Sequence, residues 1–147
     1  MNEKRWITWR GKRILVNANN NKYKYQTESI NYGQFEYKMI NVFDNNNRIG
    51  YVEYLKGNGK GFGNFEGSNI FIKNIEVNKN YRRKGIATKL YKMIQKENNG
   101  KEIRFGNLTS DGMKLINKIG KITREYTPEG KKEKVYFGII NNYKKED

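Results

Sequence analysis

The sequence predicts a mixed α/β (α+β) fold, with helices packed on a sheet, and three observations carry this reading. A strand-like run from Ile70 to Val77 passes through a basic glycine turn into an amphipathic helix. A second run, Ile103 to Leu108, leads into a second apolar-periodic segment. On either side of this block, β-branched and aromatic stretches separated by turn residues read as hairpins.

In chain order, Trp6 to Val16 reads as a short hairpin around Arg10-Gly11. Asn17 to Gly33 is rich in Asn, Lys, Tyr and Ser without helical period, and is expected to be a loop or irregular arm. Phe35 to Phe43 and Ile49 to Leu55 are strands joined by the turn Asp44-Asn45-Asn46-Asn47. Gly57 to Asn64 is a glycine-rich hairpin tip without the spacing of a phosphate loop, and Ile70 to Val77 is apolar enough to be a central strand. From Gly85 to about Asn98, Ile86, Leu90, Met93 and Ile94 share one helical face, with Lys89, Lys92 and Lys96 on the others. Asn98-Asn99-Gly100 stops that helix. After the strand from Ile103, Ser110-Asp111 caps a second helix with Met113, Ile116 and Ile119 on one side, and Gly120 ends it. Ile122 to Tyr126 and Val135 to Ile140 flank the turn Thr127-Pro128-Glu129-Gly130, and a polar tail follows.

A chain of 147 residues is the size of one domain and can bury a real core. Apolar residues make up only 35%, but 14% aromatics argue against disorder. The formal net charge of +15 points to an acidic partner or nucleic acid, because Lys and Arg that neutralise phosphates release counterions. The joint excess of Lys, Asn, Ile and Tyr is also what an AT-rich coding sequence imposes, and that bias is the larger source of the charge. With no cysteine and no histidine, the chain can form neither disulfides nor thiolate or imidazole metal sites, and no metal is expected. No apolar run approaches the roughly 20 residues of a membrane span, and Met1 to Trp6 lacks the apolar core of a signal peptide, so a soluble cytoplasmic protein without a membrane partner is expected.

The junction from Ile75 to Leu90 is the most informative stretch. A helix start leaves its first amide N–H groups without intrahelical acceptors and carries partial positive charge. Gly85 can adopt a backbone conformation that a side chain would oppose, and Arg82, Arg83 and Lys84 add full charges at the same point. The residues therefore suit a phosphate-like anion.

The order of elements, together with Arg82-Arg83-Lys84-Gly85-Ile86-Ala87 and its flanks Ile75-Glu76-Val77, Tyr81 and Thr88-Lys89-Leu90-Tyr91, resembles the GCN5-related N-acetyltransferase (GNAT) family over roughly Phe35 to Tyr126. The resemblance implies a mostly antiparallel central sheet flanked by helices, with a splayed parallel strand pair that holds acetyl-CoA between the strands ending near Val77 and beginning near Ile103. It implies that Arg82, Arg83, Lys84, Gly85, Ile86, Ala87 and Thr88 receive the pyrophosphate and that backbone at Ile75 and Val77 pairs with the pantetheine arm. It further implies direct acetyl transfer to an amine of a protein or small molecule, with Glu76 as the candidate base and Glu53 and Glu66 as substitutes. Residues 35–147 would form this acetyltransferase domain and residues 1–34 an N-terminal hairpin and polar arm, within one globular unit.

Two departures stand out. Many family members carry a tyrosine four residues before the glycine that closes the second helix, positioned to protonate the leaving thiolate; here that residue is Ile116, which has no proton to give, so water, Tyr126 or Ser110 would serve. The family's two helices before the first long strand have no counterpart in the aperiodic Asn17 to Gly33. The Trp6-Ile7-Thr8 to Gly11-Lys12-Arg13-Ile14 segment also resembles short segments of bacteriophage structural and virion-associated polypeptides, which implies phage particle proteins as partners and a place in the host cytoplasm or the virion. The alternative to the enzyme is thus a non-catalytic protein on the same scaffold, a virion-associated component or a basic nucleic-acid-associated factor.

Overall fold

The computed structural model describes residues 4–17, 23–57 and 68–143. The elements run β1 (Lys4–Trp9), β2 (Lys12–Asn17), β3 (Lys24–Asn31), β4 (Phe35–Asp44), β5 (Asn47–Gly57), β6 (Ile70–Val77), a 3-10 turn at Lys79–Tyr81, α1 (Ile86–Glu97), β7 (Ile103–Gly106), α2 (Ser110–Ile119), β8 (Gly120–Tyr126) and β9 (Val135–Ile140). They form one 9-stranded sheet in the order β1-β2-β3-β4-β5-β6-β7-β9-β8. Neighbours are antiparallel except β6 and β7, which run parallel because α1 carries the chain back between them.

The periodicity of α1 is realised as expected: Ile86, Leu90 and Ile94 are buried, and Met93 packs at the edge of the same cluster. Leu90, Ile94 and, from α2, Ile116 share one core with Ile40, Val52, Ile72, Ile103 and Ile140 of the sheet. Both helices therefore cover one face. The C-terminal end of α1 is pinned by polar groups: Glu97 pairs with Lys38 of β4 at 2.6 Å and accepts a hydrogen bond from the Tyr54 hydroxyl of β5 at 2.9 Å. Burial, then the Glu97 carboxylate, pushes the Tyr54 phenol far above its usual range. The buried Gln95 amide accepts from the Ile140 N–H and donates to the Lys101 carbonyl, both at 2.8 Å, tying α1 to β9 and to the loop before β7.

Two expectations are corrected. Lys24 to Asn31, expected within an irregular arm, forms β3 and pairs with β4 along its whole length, from Lys24 opposite Phe43 to Asn31 opposite Glu36. Only Lys24 and Tyr25 of this strand are buried, so it shows little apolar alternation, and its pairing with β4 rather than its own pattern makes it a strand. The cap of α2 is Thr109, whose hydroxyl oxygen accepts the Gly112 N–H at 3.0 Å, and Ser110 is already helical. The glycine-rich tip beyond Gly57 lies outside the described residues. The β1–β2 hairpin forms as expected, closing over Phe43 with Ile7 and Val16, while Trp6 on its outer face is 59% exposed beneath the Arg13 guanidinium.

At the other end of the sheet β8 and β9 approach so closely that a Cβ on Gly120 would lie 2.1 Å from the Ile139 carbonyl oxygen. Gly120→Ala should therefore destabilise the fold by about 2 kcal/mol, with the denaturant midpoint falling at constant slope. An unchanged midpoint would contradict this packing.

Candidate active site

The basic glycine turn is built from both sides. Asn78 closes β6 by donating its N–H to the Ile49 carbonyl at 2.7 Å. Tyr81 anchors the 3-10 turn to the β4–β5 tip: its hydroxyl donates to Asp44 at 2.7 Å and its ring meets Tyr23 edge-on. Arg82 folds back, its Nε donating to the Val77 carbonyl at 3.0 Å. Two residues of the turn have left-handed backbone, Arg83 at φ 63° and Gly85 at φ 81°. The space above Gly85 is open: among the described residues, its chain neighbours aside, no atom lies within 4 Å of where a Cβ would stand. The first helical bond is from Lys89 N–H to the Gly85 carbonyl, so the amides of Ile86, Ala87 and Thr88 have no intrahelical acceptor. Among the described residues no side chain caps this end, and its first turn holds no acidic residue. Arg82, Arg83 and Lys84 are exposed around it, and the local field favours an anion.

Beside the turn the sheet parts. β6 pairs with β5 from Ile70 to Val77 but meets β7 only where Phe71 faces Arg104. The buried Ser68 hydroxyl closes the near end, accepting the Arg104 N–H at 3.2 Å. Just beyond the bridge each strand carries an extra residue, Lys73 on β6 and Phe105 on β7, and Gly106 at φ 72° turns β7 aside. These irregularities open a cleft of about 170 Å³ lined by Ile72, Lys73, Asn74 and Ile75 of β6, Tyr91 of α1, Phe105, and Asn107, Leu108, Thr109 and Gly112 leading into α2.

The backbone of β6 faces this opening in a defined way. Because the Asn78 N–H bonds the Ile49 carbonyl, alternation places the amide groups of Glu76 toward β5 and those of Ile75 and Val77 toward the cleft side. The Val77 carbonyl is occupied by Arg82.

Glu76 is not among the residues lining the cleft. It is exposed, on the sheet face away from the helices, and lies opposite Tyr51 in register, with Asn74 opposite Glu53. The Tyr51 phenol is raised first by burial and next by Glu76, while Tyr37 donates to Glu53. Glu66 lies outside the described residues. Neither Ser110 nor Tyr126 lines the cleft: Ser110 is exposed and Tyr126 stacks on Phe137. Ile116 is wholly buried in the core. Sequence reasoning overlooked Tyr91 as a cleft residue; its place among the apolar positions of α1, one residue after Leu90, was the available signal.

The chain matches the model of the acetyltransferase (GNAT) family over residues 5–104, and it belongs to that family. The match takes in the hairpin, the four following strands, the turn and α1, ending within β7. A search among curated proteins finds no match.

Burial, as the leading cause, pushes the phenols of Tyr25, Tyr37 and Tyr91 up to about 12. In the unfolded chain a tyrosine ionises near pH 10, so between about pH 10 and 12 the unfolded state holds fewer protons and folding stability falls as pH rises. An absorbance titration at alkaline pH should show these phenols ionising only as the chain unfolds; full ionisation near pH 10 in the folded protein would contradict their placement.

Proposed function

We propose that the protein is an acyl-CoA-dependent N-acetyltransferase that moves an acetyl group from acetyl-CoA to an amine of a small molecule or protein. The observation that carries this reading is the alignment of an uncapped, acid-free helix start with the opening between β6 and β7. On this reading the amides of Ile86, Ala87 and Thr88, with Arg82, Arg83, Lys84 and Gly85 around them, hold the pyrophosphate. The amide groups of Ile75 and the N–H of Val77 bond the pantetheine arm as a missing strand would. The thioester then lies in the cleft at the level of the Lys73 bulge, walled by Ile72, Ile75, Phe105 and Leu108.

A thioester held between parted strands can be approached from the helix-free face. An amine arriving there passes Glu76 and, one strand over, Glu53. Glu76, acting through one water, takes the proton that the nitrogen loses, and the fixed geometry of the two reactants supplies the rest of the acceleration.

Calorimetric titration with acetyl-CoA should give micromolar binding that is lost in Gly85→Asp, which places a side chain and a negative charge on a residue at φ 81°. Absence of heat in the wild type at high ligand concentration would contradict the enzyme and leave a non-catalytic scaffold. With an active amine found by screening for CoA thiol release, Glu76→Gln should lower kcat by roughly 10²- to 10⁴-fold with acetyl-CoA affinity unchanged. A rate that survives the change would remove Glu76 as the base.

A further inference from the structure

Asn41, Tyr51 and Glu76 lie opposite one another across β4, β5 and β6 on the helix-free face, and Arg48 stands at the end of that row. Its Nη1 donates to the Asn41 side-chain oxygen at 3.0 Å and to the Met39 sulfur at 3.7 Å. Asn41 is wholly buried and its amide nitrogen is given to Gln26 and Glu28, so its oxygen is fixed toward the arginine. The guanidinium also lies 4.6 Å from the centre of the Tyr51 ring and 5.7 Å from that of Trp9, where the hairpin folds over Phe43. Neutral groups thus hold Arg48 in place. Among the described residues no carboxylate pairs with it. The nearby acids are engaged by uncharged neighbours instead: Glu28 accepts from Asn41, Glu53 accepts from Tyr37, and Glu76 faces Tyr51. The Nε and Nη2 donors of the half-buried arginine make no hydrogen bond among the described residues, and neither is sealed from solvent. Part of the fork is therefore open to a ligand.

We propose that Arg48 binds an anionic group carried by the acceptor itself, so that the acceptor is a small zwitterionic amine with a carboxylate or phosphate near its nitrogen. The assignment rests on the acyl-CoA reading, with the amine delivered beside Glu76. Glu76 and Arg48 flank Tyr51 from opposite sides, Glu76 one strand over and Arg48 against the ring. Neighbouring strands are about 4.8 Å apart, so the two charges are separated by roughly one to two such spacings. A cation and a carboxylate set side by side without pairing complement a ligand that carries the reverse arrangement. A guanidinium fork suits the paired oxygens of a carboxylate or phosphate, and its stacking on Tyr51 and Trp9 fixes the plane in which it receives them. Arg10, 4.1 Å from the Trp9 ring centre, adds positive charge on the hairpin side. A polyamine or a lysine within a basic peptide would bring further positive charge against these arginines, and is disfavoured.

The test follows CoA thiol release with paired acceptors that differ in the anion: L-amino acids against their α-carboxamides, and glucosamine 6-phosphate against glucosamine. The first arm reports a carboxylate and the second a phosphate. Wild type should favour the anionic member in one of the arms. In Arg48→Met, which keeps an apolar chain against Trp9 and Tyr51, that preference in kcat/KM should shrink by roughly 10- to 100-fold. Arg48→Lys, which keeps the charge without the fork, should retain part of it. Calorimetry should give the same acetyl-CoA affinity for all three proteins, which also shows that the variants are folded. A preference equal in wild type and both variants would overturn the assignment and leave Arg48 a prop for the hairpin. So would a wild type that binds acetyl-CoA yet favours spermidine or a lysine peptide, or acetylates no anionic member. Failure of wild type to bind acetyl-CoA would instead overturn the cofactor reading, and the role of Arg48 with it.

Discussion

Everything at this site depends on β6 losing its neighbour halfway along. A strand inside a sheet normally has both edges paired, and bare backbone groups away from water are costly. Here β5 holds one edge throughout, while β7 holds the other only at Phe71. The paired irregularities at Lys73 and Phe105 are what the parting requires, since each bends its own strand at the same level. The backbone of Ile75 and Val77 is thereby left to be satisfied by Arg82, by water or by an extended ligand. The crossover places α1 between the same two strands, so its N-terminus comes to the carboxyl end of the pair, where the opening is widest. In open α/β sheets such crevices are where ligands bind. Helix start and bare strand edge are thus two results of one topology.

Charge is distributed to match. The turn gathers Arg82, Arg83 and Lys84 at an acid-free helix start. On the helix-free face, Glu53 and Glu76 lie on neighbouring strands with Tyr37 and Tyr51 beside them. On the proposed reading, the basic turn after β6 takes the phosphate-bearing donor and the carboxylate-bearing face of the strands takes the amine. The same division explains why a chain of net charge +15 need not owe its function to bulk charge.

Much of this was legible in the residues because it is local. The α1 stripe, Gly85, the basic turn and the β6 strand each follow from spacing over a few residues, and Ile70 to Val77 was bounded without error. β3 was not legible: apart from Tyr25 and Ile30 its side chains are polar, and its pairing with β4 makes it a strand. The bulges at Lys73 and Phe105 leave no mark in composition, because a bulge is a mismatch between two strands rather than a property of one. For the same reason Tyr91 read as one more apolar position of a helix. Its place on the cleft follows from which side of α1 meets the end of β7, and that is decided by tertiary packing.

The central claim is that the released edge of β6 and the bare start of α1 together receive one ligand. Amide hydrogen exchange with and without acetyl-CoA tests this most directly, because it reports on individual backbone groups. The account predicts slowed exchange at Ile75, Val77, Ile86, Ala87 and Thr88, with the amide of Glu76, already turned toward β5, little changed. Protection confined to other strands, or slowing at the helix start with Ile75 and Val77 unaffected, would contradict it.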